Sequence, residues 1–258
     1  MSWRDKLIAS QAEAMDFLNR HVVADKAPDF FLRNLAGNQT DRLFPSVYPK
    51  DPDQFPQDER DMLCFGVSRS KETPCIVDGL AIGKPYRNRK IGAIAIKAIL
   101  AIAYERSADH IRLKHVNETG PTFWPYFAAM PLTEPVQLAE QIEAALSDPL
   151  EIISTEERAL FKAVARLAQT NSYGGFRTLS HAPLLSENGK FVRERIFRQI
   201  VFKKDMVILP SERTTAAILR ERLGVLPPFR PILAAEFQPI AQALAARPAP
   251  SSEWSLHS

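Results

Sequence analysis

CIVDGLAIGKPYRNRKIGAIAIKAILAIAYERSADHIRLKHVNETGPTFWPYFAAM, residues Cys75–Met130, carries the pattern from which the fold is read. An apolar run over Cys75–Ile82 stops at the Gly/Pro break of Gly83–Pro85, and Arg87, Asn88, Arg89 and Lys90 follow as a dense basic segment. The Ala/Ile-rich run that begins at Ile91 is too long for a strand and too short to span a membrane. It is apolar almost all the way round to Tyr104, with Lys97 as the interruption, which predicts a helix to about Ser107 packed against a sheet on more than one side. Ile111–Val116 is a second strand candidate. Strand, basic turn, helix, strand is a βαβ unit, and such a unit places its two strands parallel in one sheet.

The chemistry of this unit lies in its turn. A helix start carries unpaired backbone N–H groups and the positive end of the helix dipole. Gly92 permits close approach to that backbone, and cationic side chains stand immediately upstream. Together they describe an anion site suited to a phosphate or pyrophosphate. The same residues also describe a buried helix that begins with a solvated basic turn.

These residues resemble the GNAT superfamily of N-acetyltransferases, in which a "GLAV" strand end precedes "xPxYRxxGxG/A", a helix, a strand and "NxxAxxFYxxxGF". The corresponding text here is Gly79-Leu80-Ala81-Ile82, then Lys84-Pro85-Tyr86-Arg87-Asn88-Arg89-Lys90-Ile91-Gly92-Ala93, and later Asn117-Glu118 with Phe123-Trp124. The resemblance covers Cys75–Met130. It implies an acyl-CoA N-acyltransferase fold: α/β, with a GNAT-like mixed central sheet flanked by helices and extra helices in the C-terminal half. It implies acetyl-CoA as co-substrate, held at its pyrophosphate by backbone amides of the turn. Leu80, Ile82, Arg87, Asn88, Arg89, Lys90, Gly92, Ala93 and Asn117 are then the CoA-binding candidates, and an amine on a small molecule or a protein is the acceptor. Lys90 replaces the middle Gly of the family turn, a residue tolerated there only if its φ stays negative. Trp124 stands where the family places a Tyr, Tyr126 follows it, and the terminal "GF" is absent.

The catalytic candidates are Asp78 and Tyr126. Strand alternation puts Asp78 on one face with Ile76, Leu80 and Ile82, an expensive place for an unpartnered carboxylate. Burial there would raise its proton affinity and suit it to act as a base. The competing reading is a structural Asp bonded to backbone near the strand end. Tyr126 is the phenol in Asn117–Met130 that could protonate a leaving thiolate; the other aromatics there read as core. His115 at a strand end could serve as a base, although a hydrogen-bonded His at a sheet margin is the commoner case.

With 45% hydrophobic and 24% charged residues over 258, the chain has the composition of a soluble globular protein with ample core. A net charge of +3 suits a local anionic ligand better than an extended nucleic-acid surface. Cys64 and Cys75 lie in apolar stretches without metal-ligand spacing, so no metal site is expected and buried thiols in a reducing compartment are. Asp5, Glu13 and Asp16 make the N-terminus unlike a secretory leader, which points to the cytoplasm. The oligomeric state is left open.

Along the chain, 2–24 has helical spacing, with His21 on its surface. Asp29–Leu35 is a short helix candidate, and Phe44–Asp61, with four prolines, an irregular loop. Met62–Ser68 pairs with Cys75–Ile82 as an antiparallel hairpin. Thr133–Ser147 is a helix, and Ser154-Thr155-Glu156-Glu157 opens another, to about Thr170, with a capping box. Asn171–Ser180, with Gly174 and Gly175, reads as a loop followed by His181. Phe191–Ile200 and Val201–Leu209 read as extended, the closing strands of the sheet displaced by a helical insertion at 133–170. Ser211 caps a helix ending near Gly224. A proline-rich linker from 227, a helix over Leu233–Ala246 and a disordered tail from 247 complete a division at 1–28, 29–132, 133–226, 227–246 and 247–258. Two alternatives to an active acyltransferase stay open: a non-catalytic, degraded scaffold of the same type acting in ligand binding, in a resistance or accessory role or through a protein partner, and, against the modest charge, nucleic-acid binding through Arg87–Lys90.

Overall fold

The computed structural model describes residues 15–227 and 229, apart from 17, 25–29, 36–43, 52, 54–61, 71–72, 74, 88–89, 115, 117–119, 151, 184–185 and 225. The proposed linker beyond 229, the Leu233–Ala246 helix and the tail lie outside them, as do Asn88, Arg89, His115 and Asn117.

The protein is α/β, with a seven-stranded mixed sheet in the order β1-β2-β3-β4-β5-β7-β6. The strands are β1 (Phe30–Asn34), β2 (Pro45–Pro49), β3 (Leu63–Ser68), β4 (Ile76–Ile82), β5 (Ile111–Leu113), β6 (Met130–Pro131) and β7 (Met206–Ile208). The helices are α1 (Ile91–Glu105), α2 (Phe123–Tyr126), α3 (Leu138–Ser147), α4 (Thr155–Thr170), α5 (Ser172–His181), α6 (Glu187–Val201) and α7 (Arg213–Leu223). Asn19–Ala24 forms a π-helical turn, and Lys84–Tyr86 a 3-10 turn between β4 and α1.

The decisive unit stands as its sequence predicts. β3 and β4 are antiparallel, and β4 and β5 are parallel, paired at Ile76↔Arg112 and Val77↔Leu113. α1 crosses between them with Ile91, Ile96, Ile99, Leu100 and Ile102 buried, and it packs on β3 and α7. Burying that much branched aliphatic surface is the main force holding the crossover to the sheet, at roughly 1.5–3 kcal/mol per side chain.

Elsewhere several expectations are corrected. Phe30–Asn34 is not a helix but an antiparallel strand on β2, which itself runs through the expected loop. Pro45 and Pro49 sit at the two ends of β2, where a missing N–H costs least. Asn171–Ser180 is not a loop: Asn171 accepts from the Gly174 N–H at 2.7 Å and starts α5. Two glycines would cost such a helix about 2 kcal/mol in propensity, but Gly175 is there for packing. A Cβ on it would meet the Ala168 Cβ at 2.7 Å and Cα at 2.9 Å, so its absence lets α5 cross tightly over α4. Phe191–Ile200 is helix α6, not strand. Its buried set, Val192, Ile196, Phe197, Ile200 and Val201, follows the helical repeat, while Phe191 is exposed.

The two final strands therefore enclose the helical insertion. β6 and β7 pair antiparallel at Met130↔Val207 and Pro131↔Met206, and α3–α6 lie in the chain between them. One hydrophobic cluster runs from Phe65 and Ile99 beside the sheet through Trp124 to Phe161, Phe176 and Phe197 of the inserted helices. Cys75 is fully buried within it and burial pushes its thiol up to about 12, which leaves it unreactive near neutrality. The final helix carries Glu212 as its N-cap, one residue past the expected Ser211, and ends at Gly224, whose φ of 74° is the left-handed cap glycine favours.

Candidate functional site

β4 and β5 stay together only briefly. Their pairing ends with the Lys114 N–H donating to the Val77 carbonyl at 3.0 Å. From Val116 the backbone turns to the other side: its N–H bonds the Lys204 carbonyl at 3.1 Å, and its carbonyl accepts from the Lys203 N–H at 2.9 Å. β4 continues to Ile82 with β3 on one edge and no described strand partner on the other. A ligand can therefore approach the open edge of Asp78–Ile82 just beyond the point where the parallel pair separates, the common location for sites in sheets of this kind.

A cavity of about 520 Å³ lies there, lined by Leu80 and Ile82 of β4, Lys90, Gly92 and Ala93 at the start of α1, and Arg87. Its other wall is Phe123, Trp124, Tyr126 and Phe127 around α2, with Arg222 of α7. The volume is within the ~300–1,000 Å³ range of small-molecule sites, and the mixture of apolar walls with a few convergent cations is their usual chemistry. A second cavity of about 530 Å³ lies across β5 and β7, but its Arg112 is already engaged by Asp205 at 2.6 Å.

The turn into α1 lines the cavity with Arg87, Lys90 and Gly92. Among the described residues no side chain caps the helix; its first intrahelical bond runs from the Ile94 N–H to the Lys90 carbonyl. The amides of the first turn and the helix dipole are thus left to whatever occupies the cavity. Lys90 occupies the N-cap at φ 63°. This corrects the expectation of a negative φ: the position has the left-handed backbone that glycine adopts freely, and a Lys bears the strain, about 1 kcal/mol. Arg87 is exposed and fixed at one point, its Nε donating to the Ile82 carbonyl at 3.1 Å.

Gly92 plays a different part from the one its sequence suggests. A Cβ there would lie 2.7 Å from Phe123 Cε2 and 3.3 Å from Ile82 Cδ1. The Phe123 ring fills the space, so Gly92 lets α2 close against α1.

The catalytic candidates separate. Tyr126 lines the cavity and is half exposed, with the Arg222 guanidinium carbon 4.6 Å from its ring centroid. Asp78 does not line the cavity. The strand register slips between Gly66 and Val67: Gly66 pairs with Gly79 but Val67 with Val77, leaving Asp78 as the extra residue of a β-bulge. Alternation breaks at that residue. Asp78 is exposed, with Lys114 Nζ at 3.8 Å from its carboxylate, and not buried among Ile76, Leu80 and Ile82.

Two side chains of the cavity were not singled out from the sequence. Tyr86, in the 3-10 turn, is a buried phenol in edge contact with Phe30. Its place in the "YR" pair was the available signal. Arg222 reaches the cavity from α7, and no local pattern marks it. Among the described residues no carboxylate or His lines the cavity, and no group of three or more His, Cys, Asp or Glu is placed to hold a metal ion. No described helix is long and apolar enough to cross a membrane.

Fold and cavity thus define a class: an α/β protein with a mixed sheet opened between two parallel strands over a basic helix start. No family model, curated protein or solved structure matches the chain.

Proposed function

We propose that the protein is a CoA-dependent N-acyltransferase that passes an acetyl group from acetyl-CoA directly to a primary amine on a small molecule or a protein. One observation carries this reading: the β4 edge that has no described strand partner and the α1 start that no described side chain caps line the same cavity, together with Arg87 and Lys90. A long thioester with an anionic middle needs those two features side by side. The α1 amides, Lys90 and Arg87 would hold the pyrophosphate, Leu80 and Ile82 would flank the pantetheine arm, and backbone amides of β4 would polarise the thioester carbonyl. The amine nitrogen attacks that carbonyl, the C–N bond forms, and the C–S bond breaks. Tyr126 lines the cavity and would supply a proton to the departing thiolate. With no carboxylate or His among the described lining residues, the proton lost by the amine would leave through water.

That same lack favours a second reading: the cavity binds its CoA ligand without catalysing transfer.

Calorimetric titration with acetyl-CoA tests the first claim. Binding should be clear in the wild type and weakened in Arg87→Ala and in Lys90→Asn, which removes the charge but tolerates a positive φ. Gly92→Asp is a poor test, because any side chain there displaces Phe123. No binding to the wild type would remove the proposal. Binding with no turnover across a panel of amines, unaltered in Tyr126→Phe, would leave the second reading in its place.

A further inference from the structure

Arg222 is the cavity-facing member of a larger basic cluster that the β4–α1 turn does not explain. Arg177 and His181 of α5 and Arg193 of α6 stand behind it, close enough that all three guanidiniums act on the His181 imidazole. α5 also packs directly against α2, which carries Tyr126.

The charges of this cluster do not cancel. Glu212 takes Arg177 at 3.2 Å, and the mostly exposed Glu221 takes Arg222 at 3.1 Å. Arg193 makes no ion pair among the described residues; its neighbour Glu194 is bonded to Arg198 at 2.9 Å. The Arg193 terminal nitrogen reaches only the carbonyls of Ser180 and Ala182, each at 3.5 Å. Among the described residues Arg193 is thus the guanidinium of the three without a paired carboxylate, Glu194 acting on it only from a distance. The Nε atoms of Arg193 and Arg222 and the Nδ1 of His181 are shut off from solvent without a hydrogen-bond partner. Buried guanidinium charge left in that state is costly, and an oxyanion in the cavity at Arg222 would offset it.

We propose that this cluster is a second anion subsite of the cavity, receiving through Arg222 one carboxylate or phosphate group of the ligand, separate from the group met by Arg87 and Lys90. The cavity then selects a ligand set with two anionic points and an apolar stretch between Leu80, Ile82 and Phe123. The inference rests on the cavity being a ligand site, and not on that ligand being a thioester of CoA. The oxyanion belongs either to the acyl donor, as a terminal phosphate, or to the acceptor, as a carboxylate beside its amine.

His181 reports on the subsite from within. Its imidazole is held neutral, at about 4, by burial and then by Arg222 and Arg177. An anion that cancels a neighbouring positive charge stabilises the imidazolium and raises that value. The experiment follows the His181 ring by NMR, with the signal assigned by its loss in His181→Asn. The pH titration is run in sodium chloride, phosphate and acetate at matched ionic strength. Phosphate or acetate should raise the proton affinity of His181 by about tenfold over chloride, and Arg222→Ala and Arg193→Gln should each remove that difference. A rise with CoA that 3′-dephospho-CoA does not reproduce assigns the subsite to the donor's phosphate. A rise with acetate but with neither form of CoA assigns it to an acceptor carboxylate. Identical titrations in all media, in protein whose circular dichroism is intact, overturn the proposal. A failure of the acyltransferase reading looks different: CoA does not bind, yet phosphate still shifts His181.

Discussion

Lys90 joins a left-handed backbone to a place in the cavity wall. Its φ of 63° costs the fold about 1 kcal/mol that glycine would not incur, while the residue lines the cavity at the start of α1. Strain retained where charge is useful is a common mark of a functional position. Lys90→Gly should therefore leave the unfolding free energy in urea unchanged or raise it by less than about 1 kcal/mol, the strain relieved being partly offset by glycine's greater freedom in the unfolded chain, and at the same time weaken acetyl-CoA binding. A variant that is both less stable and unchanged in binding would show that Lys90 is held by contacts of its own and has no part in the site.

Among the elements, the inserted helices depend on one carboxylate. Glu157 is buried at the first turn of α4, where it closes the capping box by accepting from the Ser154 N–H at 3.1 Å. It also accepts from the Ser186 N–H at 2.9 Å and the Ser186 hydroxyl at 2.8 Å, and Ser186 is the N-cap of α6. One side chain thus joins the starts of two helices, and a Cβ on Gly189 would collide with its carboxylate. Glu157→Ala should destabilise the protein by about 3 kcal/mol, more than a single cap, measured as a drop in the urea midpoint at unchanged slope. A loss near zero would mean that water replaces the carboxylate at both helix starts.

At the scale of the molecule, stability should decline on the acidic side of neutrality. An unfolded His has its ordinary value of 6.5, and folded His181 is depressed to about 4 by burial and by Arg222 and Arg177. Below 6.5 the unfolded chain binds a proton that the folded protein refuses, so stability falls from pH 6.5 until His181 itself protonates near 4. Glu212 extends the loss to lower pH. Burial raises its pKa, but hydrogen bonds from the Thr214 and Thr215 amides and the Arg177 charge outweigh this and bring it below its ordinary 4.5. Its contribution is present above 4.5 and disappears as pH falls through the folded value. Urea midpoints recorded from pH 7.5 to 3.5 in chloride should slope downward from 6.5, and His181→Gln should flatten the stretch between 6.5 and 4. An equal slope in that variant would assign the loss to other groups.

The βαβ unit was legible in the residues because its signals are local. A largely apolar strand, a Pro/Gly break, a basic turn and a helix apolar almost all round follow one another in Cys75–Leu113, and each is dictated by periodicity and burial without reference to distant chain. The Ser154–Glu157 capping box and the Gly224 stop are local in the same sense. Asp78 was misplaced because a bulge depends on the register against β3, which strand alternation alone does not contain. α5 forms despite Gly174 and Gly175 because the backbone of α4 lies against it, and β6 is only two residues long, too short for periodicity to show. Arg222 and the cluster behind it are brought to Tyr126 by the packing of three helices far along the chain. Periodicity records which face of an element is buried. The side chains of remote elements that meet in a cavity are set by register and packing, and these exist only once the chain has folded.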